Sequence, residues 1–257
     1  MADDVIALDP FARFRAATRA RIGLGRSGDG LPTAALLDFQ LSHAKARDAV
    51  HGTVDWDVLE EQLPQPCIRV KSRAGDRSTY LRRPDLGRQL AAESAALLSP
   101  GDWDVAMVVG DGLSAAAVQN WAVQVVWAIH MRLNGLKMAP LVLADQARVA
   151  LADPIGEALG AKLSVMLIGE RPGLSVADSL GIYMTYGPKV GRRDSERNCL
   201  SNIHAHGLSP AAAADKLVWL MTQSLRLGLS GVGLKEETPS LESGADPVAA
   251  RLSHPSD

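Results

Sequence analysis

The sequence predicts an α/β protein with a mostly parallel, Rossmann-like sheet, helices on both of its faces, and a helical N-terminal region before it. Two observations lead to this prediction. From residue 67 onwards, short continuous apolar segments alternate with longer segments of helical pattern. That alternation is typical of parallel strands buried on both faces. Residues 1–66 show helical patterns only, so we expect the sheet to begin after them.

The first region contains three predicted helices, at residues 10–22, 33–50 and 55–63. The second of these has an apolar stripe over its first turns that fades towards its end. Three helices of this size can bury only a small core between them. We therefore expect residues 1–66 to dock on something larger.

The second region, residues 67–237, is predicted to be the α/β domain, and residues 238–257 a disordered tail rich in Ser, Pro, Ala and Asp. In the α/β domain, the apolar runs are the predicted strands, and the longer segments between them are the predicted helices. The predicted strands are residues 68–71, 105–109, 140–144, 162–168 and 181–186. The predicted helices are residues 84–98, 113–133, 154–159, 176–180 and 210–227.

The composition limits the classes of function. The chain has 257 residues, with 27 Lys and Arg against 29 Asp and Glu, and this balance argues against binding nucleic acid or a membrane surface through charge. No apolar run reaches the roughly 18 residues that a transmembrane helix needs. The N-terminal segment MADDVIALDP lacks the apolar stretch of a secretory signal, and there are only two cysteines. We expect a cytoplasmic protein with free thiols.

The turn Gly169-Glu-Arg-Pro-Gly-Leu-Ser175 directly follows a predicted buried strand. Ligands of open α/β sheets bind at the carboxyl ends of strands, where such turns lie. Glu170 and Arg171 can therefore meet a polar ligand. A helix beginning near Ser175 would also offer free backbone N–H groups to a phosphate.

A second turn, Gly110-Asp-Gly-Leu-Ser-Ala115, matches the G-x-G-x-x-A pattern of dinucleotide-binding proteins. The pattern also requires an acidic residue about 20 positions later, for the ribose. Residues 115–143 contain no Asp or Glu. An NAD-dependent oxidoreductase thus remains an alternative, beside a turn in which Ser114 caps the helix and Asp111 braces the loop.

The segment Asn202-Ile-His-Ala-His-Gly207 nearly matches D-x-H-x-x-G, the loop whose His ligates cobalt in base-off cobalamin proteins. Asn202 replaces the Asp that would orient the imidazole. A metal pair of His204 and His206 lacks further ligands at suitable spacing. We favour structural histidines and expect no metal ligand in the chain. Cys199 is a candidate nucleophile or, as we favour, a small residue lining a ligand pocket. The sequence contains no self-contained catalytic set.

Five segments, in order along the chain, are similar to the small subunit of ethanolamine ammonia-lyase. The resemblance extends from about residue 9 to residue 235. The segments are Arg83–Arg88, Val109–Ser114, Ile155–Ala161, Gly169–Leu174 and Cys199–His204.

This resemblance implies a subunit of an adenosylcobalamin-dependent lyase that converts ethanolamine to acetaldehyde and ammonia by radical chemistry. The large subunit, a TIM barrel, would bind ethanolamine and hold the catalytic residues. The small subunit, inactive alone, would cover the base-on cobalamin at the interface of a hetero-oligomer. The implied cofactor contacts in this chain are Val149, through its backbone, Glu170, Cys199 and, as a fourth, Arg148; no catalytic residue is implied.

Several small subunits carry a longer N-terminal extension that directs them to a bacterial microcompartment. Only eight residues precede the matching region here, so we expect a free cytoplasmic enzyme. One alternative to the cofactor-covering role is a pure assembly subunit without cofactor contact. The other is the NAD-dependent oxidoreductase described above.

Overall fold

Six strands form one sheet in the computed structural model, which describes residues 9–133 and 135–234. The strands are β1 (Cys67–Lys71), β2 (Val105–Gly110), β3 (Leu141–Asp145), β4 (Leu163–Gly169), β5 (Leu180–Tyr186) and β6 (Arg197–Ile203). Their order across the sheet is β1-β3-β2-β4-β5-β6. The predicted tail, residues 238–257, lies outside the described residues.

The sheet is mixed. The pairs β1–β3, β3–β2 and β2–β4 are parallel, whereas β4–β5 and β5–β6 are antiparallel. The α/β class is therefore confirmed, but a mostly parallel, Rossmann-like sheet is not. The predicted helix at residues 176–180 is wrong, since residues 170–179 are an irregular loop. Without a helical crossover, β5 returns beside β4 in the opposite direction, as antiparallel strands can.

Eight α-helices lie within the described ranges. They are α1 (Ala12–Ala17), α2 (Thr33–His51), α3 (Trp56–Glu60), α4 (Arg77–Arg82), α5 (Ala92–Ala95), α6 (Ala115–His130), α7 (Ala152–Leu159) and α8 (Pro210–Leu227). Helix α8 spans the predicted residues, whereas α1 is shorter than predicted. Residues 84–98 do not form one helix, because only a 3₁₀ turn at Leu86–Arg88 and the short α5 occur there. Helix α4 was not predicted.

Both faces of the sheet are covered, as predicted. Every residue of β2 is buried, and its successive side chains point to opposite faces. Met107 and Val109 pack in the core that α6 and α8 cover. Ala106 and Val108 pack in the second core, on the side of α7. Among the helices described, none is both long and apolar enough to cross a membrane.

Candidate functional site

Two adjoining cavities open near the carboxyl ends of β3 and β4, with volumes of about 350 and 360 Å³. Both are lined by Arg148, Val149 and Tyr183. Cys199 lines the first cavity and Glu170 the second. We call them together the paired cavity. The structure thus brings the four predicted contact residues, Arg148, Val149, Glu170 and Cys199, to one place.

The loop that carries Arg148 and Val149 is fixed by Asp111, at the end of the neighbouring strand β2. The Asp111 carboxylate is 4% exposed and accepts backbone hydrogen bonds from Gln146 at 3.0 Å and Ala147 at 2.8 Å. Gln146 has a φ of +54°, an uncommon conformation for a residue with a side chain. Burial raises the pKa of Asp111 to about 6, although the hydrogen bonds and Arg77 oppose the shift. Asp111 was predicted to brace its own turn, but its backbone hydrogen bonds brace the loop after β3.

Tyr80 supports the same loop from below. Its ring is fully buried, and its hydroxyl donates to the carbonyl oxygen of Ala147 at 2.8 Å. The guanidinium carbons of Arg77 and Arg148 lie 4.8 and 4.3 Å from the ring centroid, within the range of cation–π contacts. The sequence analysis missed Tyr80, because it lies on the unpredicted helix α4 and its role depends on contacts distant in sequence.

Glu170 follows β4 and is partly buried. Its Oε2 accepts hydrogen bonds from the Ser179 hydroxyl at 2.5 Å and the Asn202 backbone N–H at 3.3 Å. Arg171, its neighbour in the sequence, is exposed and forms no ion pair with it. The other oxygen, Oε1, has no hydrogen-bond donor among the described residues. It can therefore accept a hydrogen bond from a ligand.

Cys199 faces Tyr183 across the antiparallel pair of β5 and β6. Burial by the surrounding protein raises the pKa of the Cys199 thiol. The thiol is thus protonated at neutral pH, and a protonated thiol is a poor nucleophile. This favours the pocket-lining role over the nucleophile. Tyr183 was missed, although its place on β5, beside buried residues, is visible in the sequence.

The two histidines are held by local contacts. His204 is 7% exposed; its Nε2 lies 2.7 Å from Asn202 Oδ1, and its Nδ1 accepts the His206 N–H at 3.3 Å. Both ring nitrogens have partners, which favours the structural interpretation. Across residues 9–133 and 135–234, no group of three or more His, Cys, Asp or Glu side chains could hold a metal ion.

Neither of the two turns considered as phosphate sites has the local structure that such a site requires. No helix begins near Ser175, so the predicted phosphate site there is wrong. Ser114 caps α6 as predicted, accepting the Ala117 N–H at 3.1 Å. In the glycine turn, the Leu113 N–H donates to the carbonyl oxygen of Gly169 at 2.9 Å. A Cβ on Gly112 would lie 2.2 Å from that oxygen, so glycine is required here because the turn packs closely on the end of β4.

The fold and the site define an α/β protein with a candidate ligand cavity at the strand ends. A family model described as "Ethanolamine ammonia-lyase light chain (EutC)" matches residues 8–235. The chain is 51% identical over 249 residues to the ethanolamine ammonia-lyase small subunit of Ralstonia nicotianae, covering 92% of each chain. It is 49% identical over 246 residues to that of Pseudomonas syringae pv. tomato, covering 91% of this chain and 86% of the relative. The chain belongs to the ethanolamine ammonia-lyase small-subunit family.

This membership confirms the resemblance seen in the sequence segments. The chain is the small subunit of an ammonia-lyase complex, and a small subunit implies a larger partner.

Proposed function

We propose that this chain covers one side of adenosylcobalamin at the interface with the large subunit, and that it is inactive alone. The main support is the paired cavity, in which Arg148, Val149, Glu170 and Cys199 meet at the carboxyl edge of the sheet. Each cavity is smaller than a corrinoid, so the partner must enclose the remainder. When bound, adenosylcobalamin supplies the radical that starts the deamination of ethanolamine to acetaldehyde and ammonia.

The residues of this chain hold the cofactor without reacting with it. Glu170 is oriented through Oε2 by Ser179 and Asn202, and offers Oε1 to amide or hydroxyl groups of the cofactor. Val149 lines the same cavity as Glu170, on the loop that Asp111 fixes, and Cys199 is a small, neutral residue of the cavity wall. No group in the paired cavity needs to transfer a proton in this role.

The same proposal assigns residues 1–66 to docking on the large subunit and residues 67–237 to the cofactor. Helix α2 exposes four large apolar side chains, which a partner surface could cover. They are Leu36, Leu37, Phe39 and Leu41. The two cysteines, Cys67 and Cys199, are free thiols, consistent with a cytoplasmic complex.

Replacing Glu170 by Ala tests the cofactor contact in the complex with the large subunit. A hydrogen bond to a charged group contributes about 1.5–3 kcal/mol, so the dissociation constant for adenosylcobalamin should rise roughly tenfold or more. Equilibrium dialysis with absorbance detection measures it. Glu93→Ala, at an exposed position on α5, is the matched control. An unchanged constant in Glu170→Ala would remove this role.

The two alternatives predict different results for the separate chains. We would measure ammonia release from ethanolamine and adenosylcobalamin with this chain alone, the large subunit alone, and both together. We expect activity only in the mixture. Full cobalamin affinity in the large subunit alone would favour a pure assembly subunit, and NAD binding by this chain alone would favour an oxidoreductase.

A further inference from the structure

Two arginines face the same cavity without a carboxylate to neutralise them. Arg88 and Arg148 both line the cavity that contains Cys199. Neither side chain has a hydrogen-bond acceptor or an ion pair among the described residues. Arg88 is exposed, and Arg148 is partly buried. Two like charges at one cavity repel each other, and an anion between them would relieve that repulsion.

The other charged groups of this cavity are already paired. Arg197 forms a bidentate ion pair with Asp153, with both distances 2.7 Å. Asp194, the one carboxylate lining the cavity, lies 3.5 Å from Arg197 Nε. Arg197, Asp153 and Asp194 together carry a charge of −1, so Arg88 and Arg148 leave the cavity with a net positive charge.

The side chain of Arg148 is held in a conformation suited to binding an oxyanion. Its guanidinium carbon lies over the Tyr80 ring, 4.3 Å from the ring centroid. A guanidinium held over a ring keeps its N–H donors in the plane of the group, where they can form bidentate bonds to phosphate or carboxylate. Its Nε is buried and has no acceptor within the described chain. A buried donor without an acceptor is unfavourable, which again points to a missing anion.

The turn that precedes Arg88 also contacts Arg148. The Arg148 N–H donates to the Gly87 carbonyl oxygen at 2.8 Å. A Cβ on Gly87 would lie 2.9 Å from Arg148 Cγ, so glycine lets the arginine lie against this turn. Arg88 follows directly, and its position relative to Arg148 is therefore set by the backbone before any ligand arrives.

We propose that Arg88 and Arg148 form an anion subsite that takes the phosphodiester group of the cofactor's nucleotide tail. This inference rests on the proposed function, because adenosylcobalamin is the phosphodiester-bearing ligand assigned to the paired cavity. The subsite adds Arg88 to the contact residues and gives Arg148 a specific partner. Selectivity for corrinoids that carry a phosphate is its consequence.

The test compares three corrinoids in the complex with the large subunit. Adenosylcobalamin carries the phosphodiester, adenosylcobinamide phosphate carries a phosphate without the base, and adenosylcobinamide carries neither. We expect Arg88→Met and Arg148→Met each to weaken the first two ligands roughly tenfold or more, and to change the third less than about twofold. Arg226→Met, an exposed arginine of α8 without a carboxylate partner, is the control.

The exposed Arg88 keeps the test interpretable if Arg148→Met disturbs the fold. Equal weakening of all three ligands in Arg88→Met, or no weakening at all, would overturn the subsite. Inorganic phosphate provides a second measurement. It should compete with adenosylcobalamin in the unsubstituted complex and lose that effect in Arg88→Met. Phosphate that binds through Arg88 without competing would assign these arginines to free phosphate and overturn the proposal.

Failure of the subsite differs from failure of the proposed function. If Glu170→Ala weakens all three corrinoids while the arginine variants show no selectivity, the subsite alone is wrong. If Glu170→Ala and both arginine variants leave all three dissociation constants unchanged, the paired cavity does not bind the cofactor.

Discussion

Helices α2 and α6 are of similar length but are held by different forces. Helix α2 has 19 residues and buries only Ala49. Helix α6 has 16 residues and buries seven of them, against the sheet and α8. Most helical stability in proteins comes from packing an apolar face, so α6 is specified within this chain. Helix α2 must obtain the equivalent packing from another surface.

The contrast extends to the regions that contain these helices. In the sheet, all residues of β2 and β4 are buried. In the N-terminal region, α1 has no buried residue. Val54 and Leu59, next to and on α3, belong to the core of the α/β region. We infer that the free energy of folding resides in the α/β region and α3, whereas α1 and α2 contribute to assembly. Three predictions test this division, beginning with the largest expected effect.

Asp153→Ala should strongly destabilise the α/β region. The Asp153 and Arg197 side chains are 2% and 3% exposed, and the substitution leaves the buried guanidinium without its partner. Breaking such a pair costs about 3–5 kcal/mol. Urea unfolding of the purified chain measures the loss. The control is Asp215→Ala, whose partner Arg132 is at the surface and whose loss should cost less than about 1 kcal/mol. Equal effects would contradict the division.

Asp111→Asn should have a smaller effect that depends on pH. The amide can accept only one of the two backbone N–H bonds, so a loss of about 1–3 kcal/mol is expected at neutral pH. The folded pKa of Asp111, about 6, lies above its ordinary value of 3.8. Between these values the folded state binds more protons than the unfolded state, so raising the pH lowers stability.

Urea unfolding of both proteins across this range measures the pH effect. Because Asn does not titrate, the unfolding free energy of the unsubstituted chain should fall relative to that of Asp111→Asn as the pH rises from about 4 to 6. A constant difference would mean that the buried carboxyl has an ordinary pKa.

Leu37→Ser and Leu41→Ser should have the smallest effect on the isolated chain. These side chains are 57% and 55% exposed, and substitutions at such positions usually change stability by less than about 0.5 kcal/mol. We expect association with the large subunit to weaken, as measured by titration calorimetry. Clear destabilisation of the isolated chain would show that α2 is buried within it, and would contradict the contrast between α2 and α6.

The same contrast explains what could be predicted from the sequence. The four parallel strands were located to within about two residues, because continuous apolar runs have few alternative structures. Strand β6 was missed because only its end residues, Arg197 and Ile203, are buried, and because Asn198 and Asn202 interrupt any apolar run. The reversed direction of β5 depends on the irregular loop before it, whose Pro-Gly and Ser residues were interpreted as a helix start.

For the site, Glu170 was located by its place after an apolar strand. Arg148, Val149 and Cys199 came from the resemblance. The contacts of Tyr80, Tyr183 and Arg88 join positions that are far apart in sequence, and periodicity within a single segment does not report such contacts. The hydrogen bonds to Glu170 likewise come from Ser179 and Asn202, which lie 9 and 32 residues further along the chain.

The strand order also determines the width of the surface that the ligand meets. Val149 follows β3 and Glu170 follows β4, and β2 lies between these two strands. Adjacent strands are about 4.8 Å apart, so the ends of β3 and β4 are separated by about 10 Å across the end of β2. Asp111, at that end, turns its carboxylate into the neighbouring loop and not across the gap. The strand order that places β2 between β3 and β4 thereby sets the width of the surface at the strand ends, which is enough for a broad, flat ligand.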